Sequence, residues 1–191
     1  MKTNTTRFSD RVDDYIKFRP HYPKEIIEVL KNKIGLNKDF TIADTGAGTG
    51  ISSELFINNG NKVFAVEPNT EMREAGQLIF RENSNFISVN GKAESTTLPD
   101  NSIDLIFCGQ AFHWFDKPKT KIEFNRILKP NEHIALVWNV RSELSIFQKE
   151  YEQILSSNIS EYKDVTHKII SEEMITEFFN PKEMFLYSFG N

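Results

Sequence analysis

The segment "IADTGAGTG", residues 42–50, joins a short apolar run to a loop in which every second residue is glycine. The apolar run ends at Asp44, and the glycines are Gly46, Gly48 and Gly50. Glycine adopts turns and close backbone approaches that other residues disfavour. A helix-like sequence follows, so free N–H groups and the positive end of a helix dipole are available to a carboxylate or a hydroxyl oxygen. The segment therefore predicts a ligand-binding loop.

The glycine spacing does not fit the two common phosphate-binding loops. A dinucleotide loop needs G-x-G-x-x-G, and Ile51 stands where its third glycine belongs. A Walker loop ends in G-K-[ST], and no lysine follows these glycines. Phosphate is therefore the weaker interpretation, and a nicotinamide oxidoreductase is a disfavoured alternative.

Apolar runs alternate with helix-like sequences along most of the chain, which predicts βαβ units. The runs that predict strands are residues 40–44, 62–67, 85–90, 103–109 and 133–140. Amphipathic sequences lie at 22–35, 50–60, 70–83 and 117–130, and Gly60 and Pro130 are expected to end two of these helices. The pattern predicts an α/β fold with a doubly wound, mostly parallel sheet covered by helices on both faces.

The length of 191 residues is that of one domain, and we divide it into three parts. Residues 1–38 form an N-terminal lid and helix, 39–140 a cofactor-binding βα core, and 141–191 a helical part with a final strand. One long or two shorter helices are expected from 143 to about 179, and the apolar run "EMFLYSF", 183–189, predicts the strand. Such a strand would be an edge with little pairing. We therefore hypothesise that the chain lacks a final antiparallel strand, so that a C-terminal hairpin is incomplete.

Composition and charge exclude several classes of function. The net charge is −4, and no basic face with interleaved aromatics is visible, so a nucleic-acid partner is not expected. No apolar run is long enough for a membrane span, and the four histidines show no metal-ligand spacing. Cys108 is the single cysteine, which suits a reducing compartment and predicts a cytoplasmic protein. The oligomeric state is left open.

Two further signals follow the glycine loop. Glu67 ends the second apolar run, where a carboxylate can accept both hydroxyls of an adenosine ribose, although a lone glutamate there is commonly only solvated. NAD and S-adenosylmethionine both contain this ribose, and the glycine spacing favours S-adenosylmethionine. After the third run, in "GKAESTTLP", Ala93 would line an adenine slot and Glu94 would accept from the adenine amine. For Glu94, an exposed acidic loop is an equal alternative.

Several motifs occur in an order and spacing that resemble the class I S-adenosylmethionine-dependent methyltransferases. They are similar to the small-molecule branch that includes trans-aconitate methyltransferase, and the likeness covers residues 8 to about 140. The motifs are D-x-G-x-G-x-G at 44–50, "VEPN" at 66–69, "GKAE" at 91–94, "IDLIFCGQAFHWF" at 103–115 and "FSDRVDDYIKFRPHYP" at 8–23. The resemblance implies a Rossmann-like methyltransferase fold, S-adenosylmethionine as cofactor and a small-molecule acceptor.

The resemblance also implies roles for individual residues toward that cofactor. The backbone around Gly46, Gly48 and Gly50 would pack on the methionine part, and Asp44 would lie near its ammonium group. Other cofactor contacts would come from Met72 on the adenine and from the backbone carbonyls of Gln110 and Ala111. Tyr15 and Arg19 would fold over the cofactor as a lid, with Arg19 pairing with its carboxylate; a surface position before a helix is the alternative for Arg19.

The acceptor side is expected in "GQAFHWF", just past the fourth strand. His113 is the candidate catalytic residue, as a base or an orienting group, and a packed core histidine is an equal alternative. Trp114, Phe115 and Tyr22 would wall the acceptor pocket. Asp104, at the opposite edge of the sheet, is interpreted as structural. An S-adenosylmethionine-binding domain with little or no catalytic activity is the alternative function.

Overall fold

The computed structural model describes residues 17–139, 145–159, 172–180 and 183–189. Its centre is a five-stranded sheet in the order β3-β2-β1-β4-β5, with every neighbouring pair parallel. The strands are β1 Thr41–Thr45, β2 Lys62–Val66, β3 Phe86–Val89, β4 Ile103–Gly109 and β5 Leu128–Val137. This arrangement confirms the predicted α/β fold with a doubly wound parallel sheet.

Helices connect the strands and continue beyond them. They are α1 Glu25–Ile34, α2 Ser53–Asn58, α3 Thr70–Ile79, α4 Lys117–Ile127, α5 Ile146–Asn158 and α6 Glu172–Phe179, with a 3-10 turn at Phe112–Trp114. Gly60 follows α2 with φ +93°, as its predicted role in ending that helix requires. Among the described residues, α5 and α6 lie in the region 143–179, where one long or two shorter helices were predicted. In the part of the chain that the structure describes, no helix is long and apolar enough to cross a membrane.

The core lies in two layers, one on each face of the sheet, because successive strand residues point to opposite sides. Leu105 and Phe107 face one layer, with α1 and α2, whereas Ile106 and Cys108 face the other, with α4. Both faces of the sheet are therefore buried at β4, which explains why this strand is a continuous apolar run in the sequence.

The point where the strand order reverses lies between β1 and β4. Asp44 of β1 is level with Ala65 of β2 and Phe107 of β4, so the carboxyl ends of these strands meet at one edge. In open parallel sheets, ligands bind at this edge, outside the carboxyl ends of the strands next to the reversal. The fold thus brings the glycine loop, the end of β2 and the end of β4 together.

The prediction that Pro130 ends a helix is wrong. Helix α4 ends three residues earlier, at Ile127, and β5 begins at once. Ile103 pairs with Leu128, but Leu105 pairs with His133, so residues 129–132 form an irregular segment of the strand. Proline has no N–H to donate to a ladder, and it is tolerated where the ladder is interrupted.

The prediction of a strand at residues 183–189 is also wrong, because these residues form no strand pairing. They lie near α1 instead, where the Lys33 ammonium group is 4.9 Å from the centroid of the Phe185 ring and 6.0 Å from that of Tyr187. An apolar alternating run becomes a strand only where a partner supplies backbone hydrogen bonds. The hypothesis of a missing antiparallel strand remains a prediction, as does the division into three parts.

We expect Gly50→Ala to destabilise the protein more than Gly35→Ala. Both glycines have positive φ, +88° and +69°, so both substitutions carry a left-handed penalty of about 1–2 kcal/mol. A Cβ at position 50 would also lie 2.7 Å from Phe80, whereas a Cβ at position 35 meets nothing within 4 Å. Overpacking should add about 1–3 kcal/mol at position 50. Urea unfolding of both variants measures the difference, and equal losses would contradict this account.

Candidate functional site

The glycine loop is attached to the end of β2 by its own backbone. The N–H groups of Gly46 and Ala47 donate to the Val66 carbonyl oxygen at 2.9 and 3.2 Å. The Gly48 N–H donates to Glu67 Oε2 at 2.9 Å. Gly46 and Gly48 have φ of +73° and +58°, a conformation that favours glycine. These hydrogen bonds therefore fix the loop against the end of β2.

Glu67 has both carboxylate oxygens oriented by backbone donors. Oε2 accepts from Gly48, and Oε1 accepts from the Asn69 N–H at 2.9 Å. Each carboxylate oxygen keeps a further lone pair for a ligand hydroxyl. Burial raises the pKa of Glu67, while the two backbone hydrogen bonds oppose that rise. The carboxylate is thus fixed in a geometry from which it can receive two neighbouring hydroxyls.

Asp44 lies fully buried at the end of β1, beside the loop. Its Oδ2 accepts hydrogen bonds from the Ser52 and Ser53 hydroxyls, both at 2.7 Å, whereas Oδ1 is buried without a protein partner. Burial raises the pKa of Asp44 to about 6, and the serine hydrogen bonds counteract this only in part. An unpartnered buried oxygen costs free energy, so a cationic or donor group of a ligand would be stabilised there.

The end of β4 contributes a backbone turn in an uncommon conformation. Gln110 has φ +55°, and its N–H donates to the Val137 carbonyl oxygen at 2.8 Å. A left-handed residue other than glycine is found disproportionately at binding sites. Ala111 follows directly beside the glycine loop, since a Cβ at position 46 would lie 2.6 Å from the Ala111 Cβ. The structure therefore brings together Gly46 and Ala111, as a shared site requires.

His113 lies half-buried in the 3-10 turn that follows. Its Nδ1 is 3.5 Å from the Trp138 indole Nε1, at the long limit of a hydrogen bond. Indole N–H is only a donor, so this contact makes Nδ1 the acceptor and assigns the proton of a neutral imidazole to Nε2. Trp138, which follows β5, was not predicted as a site residue, because the run 133–140 placed it inside the fifth predicted strand.

The expected pocket walls have different surroundings. Trp114 is half-buried, with its ring centroid 4.6 Å from that of His113. Phe115 packs edge-on against Phe112, 6.0 Å between centroids, and near the glycine loop. Phe112 is also covered by two rings of α6, those of Phe178 and Phe179, at 5.3 and 5.5 Å. Helix α6 therefore packs against Phe112, the residue before His113. The sequence pattern does not reveal this contact.

The residues expected around an adenine lie close to the end of β2 or in the loop after β3. Met72 is buried in the first turn of α3, where its N–H donates to the Asn69 side chain at 2.8 Å. Ala93 is buried as well. Glu94 accepts a hydrogen bond from the Asp116 N–H at 2.7 Å, so one of its oxygens already holds the start of α4.

The loop after β3 is held by a second carboxylate, which sequence reasoning missed. Glu123 of α4 accepts from the backbone N–H and the hydroxyl of Thr96 and pairs with Arg126 at 2.7 Å. These contacts, the Arg126 hydrogen bond first, lower the pKa of Glu123 to about 2. This charge fixes the loop that carries Ala93 and Glu94.

The residues just before α1 contact α2 and β4. His21 Nδ1 lies 2.8 Å from Glu54 Oε2 of α2. Tyr22 is buried edge-on against Phe107, 6.0 Å between centroids, and its hydroxyl lies against Gly109 at the end of β4. Arg19 is half-buried, and Tyr15 lies outside the described residues. The lid therefore remains a prediction.

Asp104, which was interpreted as structural, has contacts that suit that interpretation, and Cys108 is packed in the core. Asp104 accepts from the Thr41 N–H at 2.8 Å and pairs with Lys129 at 2.6 Å, at the amino ends of the strands. Cys108 is buried beside the Thr45 hydroxyl, 3.0 Å away, and burial raises the pKa of its thiol. Within the described ranges, no group of three or more His, Cys, Asp and Glu residues could hold a metal ion.

Comparison with known proteins agrees with this geometry. A family defined as "Methyltransferase domain" matches residues 43–136. An uncharacterised methyltransferase of Schizosaccharomyces pombe is 33% identical over 149 residues, which are 78% of this chain and 58% of that protein. An uncharacterised methyltransferase of Mycobacterium tuberculosis is 31% identical over 157 residues, 82% of this chain and 62% of that protein.

The crystal structure of a candidate S-adenosyl-L-methionine-dependent methyltransferase from Methanococcus maripaludis superposes with a TM-score of 0.69. It is 25% identical, and the match covers 94% of this chain and 85% of that one. The chain thus matches a methyltransferase domain over residues 43–136 and has the fold of the class I S-adenosylmethionine-dependent methyltransferases. It spans 58% and 62% of the lengths of the two curated relatives above. These relatives do not distinguish the trans-aconitate branch from other branches of the family.

The residues at the strand ends fit the cofactor of this methyltransferase family, S-adenosylmethionine. The orphaned Oδ1 of Asp44 suits its ammonium group, and the oriented carboxylate of Glu67 suits its ribose hydroxyls. Position 46 has no room for a side chain, because a Cβ there would lie 2.6 Å from the Ala111 Cβ. A Cβ at Gly50 would meet the Phe80 and Phe86 rings at 2.7 and 3.2 Å, so packing against these rings accounts for a glycine at this position.

We expect the stability of this protein to fall, relative to Asp44→Asn, as the pH rises from about 4 to about 7. Burial raises the pKa of Asp44 from 3.8 to about 6, so folding favours the protonated acid. The stabilisation is complete below the unfolded value and is lost as the pH rises through about 6. The difference amounts to about 1.4 kcal/mol for each unit of pKa shift. Urea unfolding of both proteins at several pH values tests it, and parallel curves would contradict it.

Proposed function

We propose that this protein transfers the methyl group of S-adenosylmethionine to a small-molecule acceptor that carries an anionic oxygen, most simply a carboxylate. The cofactor half of the proposal depends on one observation, the Glu67 carboxylate held by the Gly48 and Asn69 amides beside the glycine loop. The acceptor half depends on His113 and its contact with Trp138. A small acid also agrees with the trans-aconitate-like branch that the sequence resembles.

The contact with Trp138 supports the orienting role for His113 over that of a base. With Nδ1 accepting from the indole N–H, a neutral His113 has its proton on Nε2 and acts there as a donor. A donor binds and orients a carboxylate oxygen, whereas a general base would need an unprotonated nitrogen. A carboxylate is already ionised near neutral pH and needs no base. The tautomer therefore favours an acidic acceptor over an alcohol or an amine.

The chain's own residues would act mainly by positioning. S-adenosylmethionine supplies a methyl group that its sulfonium already activates for transfer. Glu67 and Asp44 would bind the cofactor, while the donor at His113 would orient the acceptor oxygen, with Trp114 and Phe115 beside it. Positioning two reactants in this way supplies up to about 7–11 kcal/mol of a reaction barrier. A neutral pH in the cytoplasm, the compartment that we propose, suits an ionised acceptor.

The first test is calorimetric titration with S-adenosylhomocysteine, with NAD as the parallel ligand. We expect S-adenosylhomocysteine alone to bind, and Glu67→Gln to raise its Kd by about tenfold or more, because a hydrogen bond to a charged group is worth about 1.5–3 kcal/mol. Glu74→Gln is the matched control, since Glu74 is an exposed residue of the neighbouring helix α3. Binding of NAD alone would reject the proposal.

Turnover of a panel of small mono-, di- and tricarboxylic acids then separates an enzyme from a binding domain. We expect methyl ester formation from at least one acid. Binding of S-adenosylhomocysteine by a folded sample, with no transfer to any acid, would favour the alternative of a cofactor-binding domain with little activity.

We expect Trp138→Phe to lower kcat/KM for the acid about tenfold, while the Kd of S-adenosylhomocysteine changes less than about twofold. The substitution keeps the ring but removes the N–H that fixes the His113 tautomer. At saturating cofactor, kcat should also stay level from pH 8 down to about 6, because a donor needs no deprotonation. A base would instead lose rate as the pH falls, because protonation removes the nitrogen lone pair that accepts the proton. That loss would overturn the donor role.

A further inference from the structure

An arginine of α3 connects the carboxyl ends of β2 and β3. The Arg73 guanidinium Nη1 donates to the Glu67 carbonyl oxygen at 3.1 Å and lies 3.4 Å from that of Pro68. The same nitrogen is 3.3 Å from Asn90 Oδ1, in the residue that follows β3. Nη2 lies 3.4 Å from the Thr70 hydroxyl in the first turn of α3. One side chain thus reaches two strand ends and a helix start.

We infer that Arg73 is a positioning residue, which fixes the main chain under Glu67 so that its carboxylate meets the adenosine ribose. The inference rests on the proposed function, because it concerns the same cofactor site. Arg73 does not bond to the Glu67 carboxylate oxygens, which the Gly48 and Asn69 amides occupy. It holds instead the peptide from which that carboxylate projects.

The position of Arg73 suits this role better than a general contribution to the core. Residues 67 and 68 form the turn between β2 and α3, where the adenosine would lie. The N–H of Arg73 donates to the Asn69 carbonyl oxygen at 3.0 Å, so its own backbone is fixed by the same turn. Its positive charge also opposes the effect of burial on the pKa of Glu67, which favours the ionised carboxylate.

The chemistry of the contact calls for arginine. A guanidinium is a planar fork with five donors, so it can bond to acceptors on two different segments at once. A lysine ammonium is a compact point charge, which would keep the charge but lose the bridge between Glu67 and Asn90. Substitution by lysine therefore separates the two contributions.

The experiment measures the Kd of S-adenosylhomocysteine for Arg73→Ala and Arg73→Lys. We expect Arg73→Ala to raise the Kd about tenfold and Arg73→Lys to resemble it, because both lose the bridge. The matched control is Arg81→Ala, since Arg81 is an exposed arginine just after α3 whose nearest acid, Glu82, is 3.6 Å away. That control should bind within about twofold of the wild type. Circular dichroism confirms folding, and Arg73→Lys serves if Arg73→Ala does not fold.

A double-mutant cycle with Glu67→Ala distinguishes a positioning role that acts through Glu67 from a purely structural role. If Arg73 acts through Glu67, Arg73→Ala should change the Kd less than about twofold once the carboxylate is absent. An equal tenfold loss in both backgrounds, or wild-type affinity in Arg73→Lys, would overturn the positioning role. Failure of the wild type to bind would overturn the proposed function and this inference with it. Normal wild-type binding with no effect of Arg73→Ala would overturn the inference alone.

Discussion

The attachment of the glycine loop to the end of β2 is the interaction on which the site depends. Three successive loop amides, those of Gly46, Ala47 and Gly48, donate to the Val66 carbonyl and the Glu67 carboxylate. Because these donors are already engaged, the loop is shaped by the protein and not by a ligand. A preformed site avoids the cost of ordering its backbone when a ligand binds. The same hydrogen bonds orient Glu67, so that loop and carboxylate form one unit.

Three acids near the site, Asp44, Glu67 and Glu123, differ in the partners of their carboxylates. Glu123 has Arg126 and Thr96, which lower its pKa to about 2, and it serves to hold a loop. Asp44 and Glu67 have hydroxyl and amide donors but no cation on their carboxylate oxygens, and burial raises both pKa values. Their mutual repulsion contributes to the rise at Asp44. The unbalanced negative charge lies at the edge where a cationic cofactor would be received.

Local patterns in the sequence were sufficient for the sheet, and β4 has the predicted bounds of 103–109. They also predicted that Gly48 and Glu67 lie close together, because these residues follow two parallel strands whose carboxyl ends meet at one edge of the sheet. Trp138 and Arg73 were missed, since their roles arise from contacts with His113 and Asn90, 25 and 17 residues away in sequence. Pro130 and residues 183–189 were misread for a related reason. An apolar run or a proline does not specify whether a neighbouring strand or a helix will pack against that segment.

The approach of Gly46 to Ala111 limits how this chain can vary. A side chain at position 46 would collide with the Ala111 methyl group, since a Cβ at 46 would lie 2.6 Å from it. The two positions are 65 apart in numbering, yet the volume available to one is set by the other. Randomising them together in a library for altered acceptor specificity would yield mostly incompatible pairs. Diversity is better introduced at Trp114, which lies beside His113 and is only half-buried.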